Sequence, residues 1–186
     1  MQKDLLLDTI KTTLQKSKVE KLAAIASEET FSVKELIDLS FYHDEQIGFR
    51  AAWILENVFA KHQQRFLPYS LYFLEKFPQQ NNLSALRHYV KIMAFMTRKN
   101  ASVEIKKILV EYDTNHLVEV VFARLIDEQI PVAVKSHCLN ILANLNARHS
   151  WIREELLQTM DFLVDKESIA FFAKVKQIRK QLAVRS

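Results

Sequence analysis

A single glycine in 186 residues, beside three prolines and 49% hydrophobic side chains, excludes glycine-rich phosphate loops and disfavours β-hairpins whose turns need positive φ. The 26 lysines and arginines against 22 acids leave a net charge of +4, too mild to announce nucleic acid, and a lone cysteine allows no intramolecular disulfide. No stretch reaches the roughly 20 apolar residues of a membrane span, and Asp4 and Asp8 interrupt any signal-peptide core, so a cytoplasmic, all-helical single domain over residues 1–186 is expected.

In chain order, the apolar spacing predicts a first helix over 3–16, with Leu6, Ile10, Thr13 and Leu14 on one face. Ser17-Lys18-Val19-Glu20 has the capping-box pattern that opens a second helix, and Ser32-Val33-Lys34-Glu35 repeats it. A longer helix runs from Asp44 to about Gln63, and Pro68 suits the first turn of the next, over 69–77. Residues 78–82, PQQNN, form a polar loop. Helices over 83–98, 102–112 and 116–127 follow, then one from Asp127 through Leu145. Ser150 is expected to cap a helix over 151–163, and Ser168 to open the last.

Two of these stretches are copies. DEQIGFRAAWILENVF at 44–59 and DEQIPVAVKSHCLNIL at 127–142 share their opening tetrapeptide at an offset of 127 − 44 = 83. At that offset Ala51, Ile54, Leu55, Val58 and Phe59 fall opposite Val134, His137, Cys138, Ile141 and Leu142, one helical face in each. Half of 83 is about 41, and the short polar residues Asp4, Asp44, Ser84, Asp127 and Ser168 stand 40, 40, 43 and 41 residues apart. HEAT and armadillo repeats run at roughly 40–47. The expectation is an all-α, right-handed α-α superhelix of HEAT/ARM-like repeats.

The string Asp44-x-x-Ile47-x-x-Arg50-Ala51-Ala52-x-x-Leu55 resembles the second-helix signature of HEAT repeats, with Arg87 and Lys135 as looser counterparts of Arg50. That resemblance implies that Arg50 bonds the turn aspartates, Asp44, Asp8 or Asp38 among them. RAAWILE at 50–56 and SWIREEL at 150–156 resemble a family of short all-helical proteins often catalogued as adenylosuccinate lyase. The serine-rich S-S-x-M-P-x-K loop of true lyases is absent, so the resemblance implies the helical scaffold without the activity.

No catalytic or metal-binding pattern emerges. None of the six histidines has a glutamate three residues before it or another histidine four away, the helical spacings for metal ligation. His137 and Cys138 are adjacent on a helix and point about 100° apart, which gives no nucleophile–base pair. No cofactor is expected.

The binding candidates are Trp53 and Trp151, which either line a concave groove or pack between helices, and a basic ladder of Arg50, Arg87, Lys91 and Lys135. The last helix carries Lys174, Lys176, Arg179, Lys180 and Arg185 with no acid after Glu167, over a buried set at helical spacing, the pattern of a capping helix. The expected function is a non-enzymatic scaffold that holds a protein or peptide. Nucleic acid is the alternative partner, as in the HEAT-like alkylpurine DNA glycosylases, and a small-molecule lyase substrate is the remotest reading.

Overall fold

The computed structural model describes residues 2–12, 14–26 and 30–184, with side chains from residue 6 on; Thr13, Arg185 and the side chain of Asp4, named above, lie outside them. The described residues contain twelve α-helices and no strand: α1 Gln2–Ile10, α2 Lys16–Ile25, α3 Val33–Leu39, α4 Glu45–Lys61, α5 Gln63–Phe66, α6 Ser70–Lys76, α7 Leu83–Thr97, α8 Val103–Glu111, α9 Asn115–Ile126, α10 Val132–Leu145, α11 Ile152–Val164 and α12 Ile169–Ala183. They form two compact units, residues 1–92 and 93–186, so that α7 contributes to both. In the first unit α4 packs against α1, α2 and α3, and α6 against α3. In the second α10 packs against α9, α11 and α12.

The helix starts follow local chemistry, with corrections. Ser32 and Glu35 form the reciprocal capping box, Asp44 Oδ1 accepts from the amides of Gln46 and Ile47, and Ser168 accepts from that of Phe171, as expected. Asp4 and Ser17 fall inside helices, α2 being entered through Gln15. The cap of α7 is Asn82, whose Oδ1 accepts from the amides of Ser84 and Ala85, and α11 is entered through Trp151 with no side-chain cap from Ser150.

The largest departure concerns the repeated tetrapeptide. Asp127 Oδ1 accepts from the Gln129 amide at 2.8 Å, the counterpart of the 2.9 Å bond from Gln46 to Asp44. Beyond that bond the copies diverge, because residues 127–131 form a turn and α10 begins only at Val132. Pro131 disfavours helical backbone at Ile130, whereas Gly48 at the matching position lets α4 continue.

The buried register is the better repeat. Residues 47, 48, 51, 52, 54, 55 and 58 of α4 are buried, and so are residues 85, 86, 89, 90, 92, 93 and 96 of α7, each 38 further on. Val134, Cys138, Ile141 and Leu145 of α10 recur as Phe171, Val175, Ile178 and Leu182 of α12 after 171 − 134 = 37 residues. With 134 − 89 = 45 between α7 and α10, the steps are 38, 45 and 37, in place of the near-even spacing of the polar markers.

Three arginines reach back about one repeat to the carbonyl end of an earlier helix. Arg50 Nη1 donates to the carbonyls of Ile10 at 2.9 Å and Lys11 at 2.7 Å, where α1 ends. Arg65 donates to those of Ala23 and Ala24 near the end of α2. Arg148 donates to Leu109, to Val110 at 3.0 Å and to Tyr112 at 2.8 Å at the end of α8. The bonded residues lie 36 to 42 positions apart. The last carbonyls of a helix lack an internal partner and carry partial negative charge, so a guanidinium fork satisfies several at once. Arg50 therefore binds carbonyls, and the expected pairing with Asp44, Asp8 or Asp38 is corrected: Asp44 is occupied with capping its own helix.

Gly48 lies where α4 crosses the α3–α4 turn. A Cβ there would stand 2.9 Å from the Ser40 carbonyl oxygen and 3.0 Å from Asn82 Nδ2. Ser40 is held from several sides: its carbonyl accepts from Gln80 Nε2 at 3.1 Å, and its hydroxyl lies 2.5 Å from that of the fully buried Tyr89.

Two stability predictions follow from this packing. Arg50→Ala and Arg148→Ala each lose about 1–2 kcal/mol, a discounted value for partly exposed charge-assisted bonds, and melt roughly 2–8 °C lower; the lysine variants recover only part, since an ammonium lacks the fork. Gly48→Ala is destabilising by about 1–3 kcal/mol in urea unfolding, against the roughly 1 kcal/mol that alanine gains by helix propensity alone. An unchanged or raised midpoint would show that the turn yields.

Candidate binding face

One face of the first unit joins residues of α4 and α7. Phe49, Trp53 and Glu56 recur at helical spacing on α4, and Arg87, His88 and Lys91 line the neighbouring stretch of α7. Phe49 and Trp53 are half-buried and stack with centroids 5.9 Å apart, and the His88 ring lies 5.4 Å from that of Phe49. Glu56 binds two partners: its Oε2 is 2.5 Å from His88 Nδ1 and its Oε1 is 2.5 Å from Lys91 Nζ. Burial alone pushes the Glu56 carboxyl up, but the bonds from His88 and Lys91 outweigh it and hold the pKa below the ordinary carboxylate value. The face thus carries an ionised carboxylate between two donors, beside an aromatic pair. Arg87 is exposed and makes no hydrogen bond or ion pair among the described residues.

The six candidates from the sequence are distributed unevenly. Trp53 and Lys91 belong to this face through Phe49 and Glu56, and Arg87 lies one turn before Lys91 on α7, whereas Arg50 is half-buried and occupied by the α1 carbonyls. Lys135 is 1% exposed and paired with Glu167, so it supplies no charge to a surface ladder. Trp151 stands at the start of α11, half-exposed, with its ring stacked on Phe122 of α9 at 5.7 Å.

Phe49, Glu56 and His88 were missed by the sequence reading. The 38-residue step would have found Phe49 and His88, since it pairs Phe49 with Arg87, Arg50 with His88 and Trp53 with Lys91 as equivalent positions of successive repeats, whereas Glu56 falls opposite Ala94 and has no such signal.

Elsewhere, Cys138 is fully buried and burial pushes its thiol up to about 12, so it stays protonated at neutral pH. Among the described residues no three His, Cys, Asp or Glu side chains gather to hold a metal ion, and no helix is long and apolar enough to cross a membrane.

The Glu56 arrangement sets a pH dependence. A carboxyl whose folded pKa is lowered contributes stability that is fully present above its unfolded value, about 4.3, and is lost as pH falls through the folded pKa. The stability difference between the parent and Glu56→Gln is therefore expected to shrink from about pH 7 to about pH 3 in urea melts. A constant difference would show that the carboxylate charge contributes nothing.

Comparison with curated proteins and with solved structures returned no match. The HEAT repeat domain family model matches residues 6–182, nearly the whole chain and both units. With its all-helical architecture, the recurring buried register and the arginine ties one repeat long, the chain belongs to the HEAT repeat domain family.

Proposed function

We propose that this protein is a non-enzymatic interaction module, with residues 1–186 acting as one domain in the cytoplasm and with the α4–α7 face holding a protein or peptide partner. The carrying observation is that Phe49 and Trp53, half-buried and stacked, share the face with α7, on which Arg87, one turn before Lys91, is exposed and makes no hydrogen bond or ion pair among the described residues. Aromatic and arginine side chains contribute most where protein surfaces meet, because they bury large area and bond directionally. Glu56, already ionised and bound by His88 and Lys91, adds a polar anchor that needs no rearrangement. HEAT repeats generally mediate protein interactions, which supports the same reading.

The nucleic-acid alternative loses support from the geometry. Three of its proposed phosphate contacts, Arg50, Lys91 and Lys135, are bonded to acceptors within the chain. Charge already offset by a carboxylate, as on Lys91 and Lys135, attracts phosphate less, and Lys135 is also buried.

Affinity purification after cross-linking, with the parent and with Trp53→Ser/Arg87→Glu, tests the proposal. The parent is expected to retain a specific protein partner that the double variant loses while melting at the same temperature. Equal recovery by both proteins, or no partner with either, would overturn it.

A further inference from the structure

A second surface lies in the unit formed by residues 93–186. A cleft of about 530 Å³ opens between the end of α7, α8 and the end of α10, within the range of about 300–1,000 Å³ typical of ligand sites. Its floor is aliphatic: Leu109 and Leu145 are almost wholly buried there, and Val110 at the edge is 73% exposed. Its rim is cationic: Arg98, Lys99, Lys106 and Arg148 all line it.

No carboxylate among the described residues lines the cleft, and the local sequence explains why. Neither α7 nor α10 contains an acid, and the turn after α7 adds Arg98 and Lys99 at a helix C-terminus, where cations are favoured. The acids of α8 lie away from it. At about 100° per residue, Glu104 and Glu111 sit roughly 150–170° around the helix from the centre of the arc formed by Lys106, Leu109 and Val110. Lys99 and Lys106 are exposed and meet no acid among the described residues, whereas Arg148 keeps its charge while capping α8.

We propose that this cleft binds an acidic peptide segment, with one or two aliphatic side chains seated on the Leu109–Leu145 floor and flanking Asp or Glu carboxylates placed against Lys99, Lys106 and Arg98. Charge complementarity fixes the sign of the occupant, and the aliphatic floor its apolar part. A nucleic acid is the poorer fit, because no aromatic ring among the described residues lines the cleft for a base to stack on. This site is separate from the α4–α7 face, so it stands or falls independently of the function proposed above.

The test is fluorescence anisotropy with a short labelled peptide carrying two leucines one helical turn apart between glutamates. The parent protein is expected to bind it with an affinity that weakens as salt rises. Lys99→Glu/Lys106→Glu and Val110→Asp, all at exposed positions, each weaken binding by about tenfold or more. Exchanging the peptide leucines for serine is expected to abolish binding, and Trp53→Ser in the protein to leave it unchanged; thermal melts of each variant confirm folding. No binding of the glutamate peptide at low salt, equal binding of a lysine-flanked version, or tighter binding of a single-stranded oligonucleotide lost in the same variants would each overturn the assignment.

Discussion

A guanidinium that closes the carbonyl end of an earlier helix is the polar tie that recurs along these repeats. Short helices joined by short turns leave many helix ends per residue, and every end exposes carbonyls without an internal partner. Arg50, Arg65 and Arg148 meet that need at α1, α2 and α8, and because each comes from about one repeat later it also fixes how far the two elements are apart. Asn82 does similar work with a shorter side chain: it caps α7 and donates to the Glu45 carbonyl at 2.8 Å. Close approach at these junctions leaves space for hydrogen alone at Gly48, the one glycine of the chain.

The helical class, most helix positions and the apolar faces were legible in the sequence because they rest on spacing, which survives substitution of one aliphatic residue for another. Polar markers were poorer guides. Asp44 and Asp127 make the same bond to an amide two residues on, yet only the first opens a helix at once, since the residue after each tetrapeptide is glycine in one copy and proline in the other. Ser84 lost the capping role to Asn82, and α11 starts at Trp151 with no side-chain cap, a choice made by loop geometry that composition does not report. The arginine ties were invisible for a different reason: their acceptors are backbone carbonyls, which every residue possesses. A search for acids near Arg50 therefore found aspartates that have other work.

The same distinction separates functional from structural charge. A cation in a sequence string looks alike whether it is buried against Glu167, as Lys135 is, bound to carbonyls, as Arg50 is, or facing solvent, as Arg87 is. Among the places where positive charge stays available beside apolar surface, two differ in kind. One is the aromatic face of α4 and α7, the other the aliphatic cleft beside α8. Their unlike apolar character, aromatic in one and aliphatic in the other, suits them to different segments of bound chain.

The two tryptophans divide between the two units and give two indole N–H signals in a nitrogen-15 correlation spectrum, so they report separately on where a partner binds. On titration with the partner captured by the protein, the Trp53 indole is expected to shift or broaden while that of Trp151, stacked on Phe122, stays in place. A shift of Trp151 with Trp53 unmoved would contradict the assignment of the α4–α7 face as the surface that binds.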